Sequence, residues 1–433
     1  MNKPQWQMRK LFAALAVSAS VVTALAEGVT LTVDKVQQRY PWNGLVDIDY
    51  TIACAEGAFG VDDNLEVLMI DNSVKPAVTN RAISFLQAPL PMSAGQHRIT
   101  WDAHADGVKW RTDKAEFRIG VAHYVEAYMI IDVSGGPNTN VYPTTFVNRP
   151  PADGFNQDEY KGDKIVLRRI HPGSYMAGSP AGANAEVGRT PANEVQHRVA
   201  LSKPFYIGVF EVTQRQFKNV MGSNPATKQE DEFRPVETVS YNTIRGSGWP
   251  TVRPPVKNTF MDLLRQRCKA RHPVTGEFTE DVDGFDLPTE FQWEYACRAG
   301  TTGAFNTTNS FENTQADQVR VLTGLGRYLD TNDSRGYPKE HTVVGRYAPN
   351  AWGLYDMHGN VWELCRDWFR ADVETLKLYK DPDGPTSSPQ SACVRRGGNF
   401  GTGVSGCRSA FRDGVLVANT YASCGFRIVR EVP

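Results

Sequence analysis

The sequence contains little that would attract a nucleic acid, cross a membrane or bind a phosphate group. Its formal net charge is −1 over 433 residues, so no overall field favours nucleic acid or an anionic membrane. Beyond the N-terminus no segment is long and apolar enough to span a bilayer, and no glycine loop has phosphate-binding spacing. The eight histidines include no pair at i, i+4 spacing. The composition, 41% apolar and 22% charged, is that of a globular protein of two or three domains.

Residues 1–26 have the pattern of a secretory signal. Lys3, Arg9 and Lys10 precede an apolar run, and the small residues Ala24 and Ala26 end it. The run is about fifteen residues long, which is shorter than a membrane-spanning anchor helix, the alternative interpretation. We therefore predict cleavage after residue 26, export to the periplasm or the cell exterior, and no membrane span in the mature protein.

The rest of the chain divides into an all-β part and a loop-rich part. Residues 29–33, 46–50 and 117–121 alternate apolar and polar side chains between turn signals, which predicts a β-sandwich over residues 27–133. Residues 134–163 have linker composition. A second domain, residues 164–433, is rich in Gly, Pro, Asn and Trp, with short helices predicted at 213–221 and 289–299.

Several motifs in the second domain appear in a defined order. They are PGSYMAGS (172–179), FYIGVFEVTQ (205–214), LPTEFQWEYACRAG (287–300), NAWGLYDM (350–357), GNVWE (359–363), RGGNF (396–400), RSAFR (408–412) and GFR (425–427). Together they resemble the formylglycine-generating enzyme family, also called the sulfatase-modifying factor family. The resemblance implies an α+β protein, with an irregular C-type-lectin-like formylglycine-generating-enzyme fold after the N-terminal all-β sandwich.

The resemblance also shows which chemistry is missing. Oxidase members of the family convert a sulfatase cysteine to formylglycine, using copper bound by two cysteines shortly after the Gly-Gly motif, because soft thiolates select copper(I). Here those positions fall at Gly401 and near Val404 or Ser405. Another branch binds iron through histidines in a helical pattern that this chain lacks. We therefore predict neither copper nor iron, and assign no catalytic residue.

The cysteines leave several alternatives open. Exported proteins often form disulfides, but an odd number leaves at least one sulfur unpaired within the chain. Cys407 and Cys424 could form a disulfide between adjacent strands, remain separate buried thiols, or hold a displaced metal; Cys297 and Cys365 could be buried thiols or one disulfide. The seven cysteines, whose pairing the sequence does not determine, are Cys54, Cys268, Cys297, Cys365, Cys393, Cys407 and Cys424.

The resemblance implies one structural metal, calcium. Its ligands would be the carboxylates of Asp356 and Glu363 and the backbone carbonyls of Gly359 and Val361, around a Gly-Asn turn. The alternative is that Asp356 caps a turn and Glu363 pairs with Arg366 or another base.

Two functions follow from this sequence. We predict an exported sulfatase-modifying-factor-like protein that lacks oxidase activity and binds an unknown protein or glycan, with no nucleic-acid partner. The alternative is a metal-dependent oxidoreductase acting on a protein cysteine or a small thiol. The fold alone does not decide between them, because function depends on the site.

Overall fold

The computed structural model of the chain contains two compact units, residues 1–123 and 124–433. It describes residues 21–23, 29–39, 44–55, 59, 63–86, 90–108, 114–123, 126–246, 249, 253–272, 275–307, 314–329, 340–371 and 380–432. Most of the predicted signal segment lies outside the described residues, and signal cleavage stays a prediction. Within those residues, no helix is both long and apolar enough to cross a membrane.

The first unit is a β-sandwich, as the sequence predicted. One antiparallel sheet has the order β1-β2-β3-β6, and the other has the order β5-β4-β7. Alternate side chains of β3 (Val46, Ile48, Tyr50 and Ile52) are buried, because one face of the sheet meets the other sheet. The strands are β1 (Val21–Thr23), β2 (Thr30–Gln38), β3 (Leu45–Ala53), β4 (Asp63–Asp71), β5 (Val78–Ala82), β6 (Gly95–Asp102) and β7 (Ala115–His123).

An eight-stranded sheet forms the framework of the second unit. Its order is β15-β14-β9-β8-β10-β13-β21-β16, with antiparallel pairing except between β14 and β9. Its strands are β8 (Tyr128–Asp132), β9 (Tyr142–Val147), β10 (Lys164–Ile170), β13 (Phe205–Gly208), β14 (Cys268–Arg271), β15 (Phe278–Asp281), β16 (Phe285–Asp286) and β21 (Val429–Glu431).

The boundary between the units differs from the predicted one. Strand β8, predicted as part of the sandwich, pairs with β9 and β10 of the second unit. The predicted linker, residues 134–163, contains β9 and helix α1 (Asp158–Lys161). Tyr142 and Tyr160 from this segment are buried in the hydrophobic clusters of the second unit. The segment is therefore part of the second unit.

Two smaller sheets and a few short helices complete the second unit. One sheet pairs β11 (Gly173–Ala177) with β12 (His197–Leu201). The other has the order β19-β18-β17-β20, where β17 is Trp362–Trp368, β18 is Ala392–Arg396, β19 is Asp413–Leu416 and β20 is Cys424–Gly425. The further helices are α2 (Gln214–Met221), α3 (Tyr241–Ile244), α4 (Phe260–Arg267), α5 (Glu290–Arg298) and α6 (Gln315–Leu325).

Both predicted helices are present and begin as the sequence indicated. Thr213 caps α2 and Thr289 caps α5, and each hydroxyl accepts a hydrogen bond from the backbone N–H three residues later. Gln216 and Gln292 return the hydrogen bond to the cap residue, which completes a capping box at each helix.

Candidate functional site

The block predicted to bind calcium lies in a buried loop that leads into β17. Asp356 and Asn360 have positive φ angles of 56° and 59°, so the loop turns sharply on both sides of Gly359. The Asp356 side chain is buried, and its Oδ2 accepts a hydrogen bond from Gly345 N at 2.6 Å. Its Oδ1 is buried and has no hydrogen-bond partner. Burial raises the pKa of Asp356 to about 6.

Glu363, the second predicted carboxylate ligand, forms a buried ion pair. Arg427 donates to Glu363 Oε2 from Nε and to Oε1 from Nη2, each at 2.6 Å. The indole N–H of Trp293 donates to Oε2 at 2.7 Å. Two parallel hydrogen bonds from a guanidinium fix a carboxylate in place and neutralise its charge. The pairing of Glu363 with a base therefore occurs, with Arg427 as the base.

A third carboxylate, which sequence reasoning missed, adjoins the same loop. Glu211 is fully buried and accepts hydrogen bonds from Asn360 Nδ2 at 2.7 Å and from Val361 N at 3.3 Å. Burial, and then the negative charges of Asp356 and Glu363, raise the pKa of Glu211 well above its ordinary value. The sequence did contain a signal, because Glu211 is the one acidic residue of the FYIGVFEVTQ motif. An acidic residue among apolar residues near the end of a strand indicates a specific buried partner.

The calcium ligand set fits this geometry only in part. The partnerless Oδ1 of Asp356 is the kind of hard oxygen that calcium binds. Glu363 is already occupied by Arg427, so a cation beside it would adjoin a buried guanidinium. Among the described residues, no group of three or more His, Cys, Asp or Glu side chains is placed to hold a metal ion.

The Gly-Gly motif makes a close turn against a buried thiol. Gly397 and Gly398 have φ angles of 90° and 77°, which side chains rarely adopt. A Cβ on Gly398 would lie 2.5 Å from the Sγ of Cys407. Cys407 ends the short 3₁₀ turn Val404–Cys407, and burial raises the pKa of its thiol to about 12. The loop that holds copper in the oxidases thus surrounds one protonated, buried sulfur here.

His358 forms hydrogen bonds both to the Gly-Gly loop, at Cys407, and to a separate segment, at Asn306. Its Nδ1 lies 2.8 Å from the Cys407 carbonyl, and its Nε2 lies 3.2 Å from Asn306 N, a pattern that requires the neutral Nδ1–H tautomer. Burial lowers the pKa of His358 to about 4. The Sγ of Cys297 is 3.8 Å from Nε2, and burial raises the pKa of this thiol to about 12. Both groups are therefore neutral near pH 7, and this pair does not constitute an activated thiolate.

Of the alternatives left open for the cysteines, the structure has free thiols and no disulfide. All seven cysteines are free thiols; Cys54 is partly exposed and the other six are buried. The considered Cys407–Cys424 bond is absent because Cys407 packs in the Gly-Gly loop, whereas Cys424 lies in β20 beside Trp362 of β17. Cys297 lies in α5 and Cys365 in β17, and both are free buried thiols.

Buried arginine–glutamate pairs explain the three motifs that close the domain. Each pair joins an arginine of the C-terminal segment to an acid far away in the sequence. The pairs are Arg396 with Glu294, Arg408 with Glu186 and Glu194, Arg412 with Glu290, and Arg427 with Glu363. Burial alone would raise the pKa of Glu294, but the charges of Arg396 and Arg298 outweigh it and hold that pKa below its usual range. Each of these motifs therefore connects the C-terminal segment to an acidic residue elsewhere in the domain.

Comparisons with known proteins find sequence matches to this chain. The family model described as "Sulfatase-modifying factor enzyme 1-like domain" matches residues 155–432. The chain is 32% identical over 217 residues to chaperone protein LppX of Paenibacillus barcinonensis, an alignment covering 45% of this chain and 74% of that protein. It is 31% identical over 172 residues to the formylglycine-generating enzyme of Streptomyces coelicolor, covering 38% of this chain and 54% of the enzyme.

Solved structures include similar chains. Treponema denticola variable protein 1 is 24% identical and aligns with 62% of this chain and 96% of its own, with a TM-score of 0.46. The family model matches residues 155–432, which are more than half of this chain. The chain therefore belongs to the sulfatase-modifying factor family, and its second unit is the family's domain.

Proposed function

We propose that the family domain is a non-catalytic binding module for a protein or glycan outside the cytoplasm, without copper-dependent cysteine oxidation. The observation that carries the proposal is the state of the thiols at the Gly-Gly loop. The two copper-ligand positions hold Gly401 and Val404 or Ser405. The nearest thiol is Cys407, and burial raises its pKa to about 12, so it is protonated at neutral pH.

Copper(I) requires soft ligands in their deprotonated form, and one shielded thiol does not supply a pair of them. The relative named as a chaperone supports a binding role, because a chaperone by name holds another protein, and the chain spans 74% of that relative.

A copper-binding experiment tests this proposal. Purified protein is incubated with copper(I) under reducing conditions and desalted, and bound copper is measured together with turnover of a Cys-x-Pro-x-Arg peptide. We expect substoichiometric copper and no aldehyde product. The variant Gly401→Cys/Ser405→Cys provides the matched control and should gain copper. Stoichiometric copper or peptide turnover in the unaltered protein would establish the oxidoreductase alternative instead.

Calcium is proposed as a structural ion at Asp356, Gly359, Val361 and Glu363. Its binding would require Glu363 to share or release Arg427, since the carboxylate is fully engaged. Under this proposal, chelation lowers the melting temperature of the unaltered protein, and excess calcium restores it by linkage. Asp356→Asn should abolish that dependence. A melting temperature that is the same in chelator and in calcium would rule the ion out.

Export is proposed from residues 1–26. The mature protein recovered from a secreting bacterial host should begin at Glu27 when its N-terminus is sequenced, and its sandwich would then lack β1, residues Val21–Thr23. Retention of Met1 in the exported fraction would contradict cleavage at this position.

A further inference from the structure

A cleft of about 410 Å³ opens beside the edge strand β19. It is separate from the Gly-Gly loop and from the predicted calcium block. One part of its wall is apolar, and another part carries polar side chains. Lining residues that matter here are Phe369, Gln390, Asp413, Val415, Leu416 and Tyr421. A cleft of this size accommodates a ligand of one or two sugar rings.

The apolar wall includes large side chains that the fold leaves exposed. Leu416 is 44% exposed and Tyr421 is 37% exposed. Beside them, Phe369 packs so closely on the backbone of β19 that a Cβ on Gly414 would lie 2.5 Å from its Cδ1. An exposed aromatic ring next to aliphatic carbon offers a flat apolar surface for stacking.

Stacking and backbone hydrogen bonds hold Tyr421 in place. The Arg395 guanidinium lies 4.7 Å from the centroid of the Trp362 ring and 5.9 Å from that of Tyr421. The Tyr421 carbonyl accepts hydrogen bonds from Thr238 N at 3.0 Å and from Cys424 N at 3.1 Å. The Asn419 side-chain amide donates to the Tyr421 hydroxyl at 3.1 Å, which holds the ring itself. A ring held before any ligand arrives lowers the entropic cost of binding.

The polar wall is fixed in a similar way. Arg395 donates to Asp413 Oδ2 from Nε at 3.0 Å and from Nη2 at 2.6 Å, and Gly414 N donates to Oδ1 at 2.8 Å. This ion pair has no net charge, so Asp413 attracts a cationic ligand weakly, yet its oxygens accept further hydrogen bonds. Gln390 also lines the cleft, and its amide group can both donate and accept hydrogen bonds.

We infer that this cleft binds a neutral pyranose unit of a glycan. A pyranose has an apolar C–H face that stacks on a tyrosine ring and hydroxyl groups that both donate and accept hydrogen bonds, which matches the two walls. The inference deepens the proposed function and rests on it, since it selects glycan over protein as the ligand and assigns the site.

The test uses the full chain and neutral methyl glycosides of glucose, galactose, mannose and N-acetylglucosamine as probes. Saturation-transfer NMR should show contact with the ring C–H protons of at least one glycoside. Tyr421→Ala should weaken that binding at least about tenfold, the effect of removing a central stacking residue. Tyr421→Phe should keep it. Phe278→Ala is the matched control, because Phe278 is a 49% exposed aromatic residue on β15 of another sheet.

The inference is overturned if no glycoside binds, if binding survives Tyr421→Ala, or if Phe278→Ala removes it equally. A hexapeptide library serves as a second probe. If peptides bind in a way that depends on Tyr421 and no glycoside binds, the cleft is a peptide site and the inference is also overturned. Peptide oxidation is measured on the same samples. Turnover there contradicts the proposed function, whereas absent glycoside binding without turnover contradicts only the sugar site.

Discussion

Glu363 and Arg427 neutralise each other in a buried environment, and each depends on the other. Glu363→Ala leaves the guanidinium buried without its anion, so we predict a loss of about 3–5 kcal/mol in the free energy of unfolding. Urea denaturation measures this loss. The double variant Glu363→Met/Arg427→Met should lose less, because no charge is left unpaired. A change below about 1 kcal/mol for Glu363→Ala would contradict the pairing.

Gly398 is the residue on which the close turn over Cys407 depends. Gly398→Ala adds a Cβ at a φ of 77°, 2.5 Å from Sγ of Cys407, and we predict a destabilisation of more than about 1 kcal/mol. Gly403→Ala is the control in the same loop, since Gly403 has a φ of −65° and open space around it. Equal melting temperatures for the two variants would show that the turn tolerates a side chain.

Asp367 gives the stability a pH dependence. Burial, and then the charge of Glu290, raise its pKa from 3.8 to about 7. The folded state therefore holds a proton that the unfolded chain releases between about pH 4 and 7, and this residue stabilises the fold as pH falls through that range. Asp367→Asn removes the effect. In parallel thermal melts, the melting temperature of the variant should exceed that of the unaltered protein most above pH 7. This difference in melting temperature should shrink towards pH 4.

At the scale of single residues, the sequence predicts a local role, such as a turn glycine, more readily than the distant partner of a buried side chain. The Gly-Gly doublet is visible as a motif, and the structure shows its positive φ angles. The partner of Glu363 is 64 positions away, and spacing alone did not distinguish Arg427 from the nearer Arg366. Glu211 was missed for the same reason, since its contacts with Asn360 and Val361 span about 150 positions.

Among the elements, α5 places Trp293 and Glu294 in the centre of the family domain. Its N-cap, Thr289, accepts a hydrogen bond from Gln292 N, and the Gln292 side chain accepts one from Thr289 N. Thr289→Ala should cost about 0.5–2 kcal/mol, measured by chemical denaturation, because the first turn loses its acceptor. Thr289→Ser keeps the hydroxyl and should retain most of the stability. Equal losses in both variants would assign the effect to the lost methyl group.

A threonine cap did not by itself make a helix predictable, since four helices of the described chain have one and two of these were predicted. Residues 213–221 and 289–299 begin with threonine and have large apolar side chains at helical spacing, and both form helices. Helix α4 also begins after a threonine, Thr259, and buries Phe260, Met261 and Leu264. Its signal was present in the sequence but lay within a segment rich in arginine and lysine. Helix α6 is capped in the same way by Thr314, but only Gln318 and Leu322 of its eleven residues are buried, so its apolar face is weak.

At the scale of the whole molecule, the N-terminal boundary of the second unit determines which fragments should fold. A fragment of residues 124–433 retains β8, which pairs with both β9 and β10. A fragment of residues 164–433 loses β8 and β9, and exposes the edges of β10 and β14. We predict that the longer fragment gives a cooperative melt and dispersed NMR signals, and that the shorter one aggregates. A well-folded shorter fragment would contradict the role assigned to these strands.

The sequence predicted the class of both units but not where they divide. Alternating side chains identify a strand without identifying its partner, so residues 128–132 read equally well as the last strand of a sandwich. The pairing of β8 with β10 is set by long-range contacts within the second unit. The resemblance could not resolve this point, because its first motif begins at residue 172.

The six buried sulfurs have a practical consequence. The fold has its seven cysteines as free thiols, and we predict that it forms without an oxidising folding machinery. The protein should reach the same native state in a reducing cytosol as in an oxidising compartment, and it should be obtained intact in the presence of dithiothreitol. In the native protein, an alkylating reagent should therefore modify Cys54 and leave the six buried thiols unmodified.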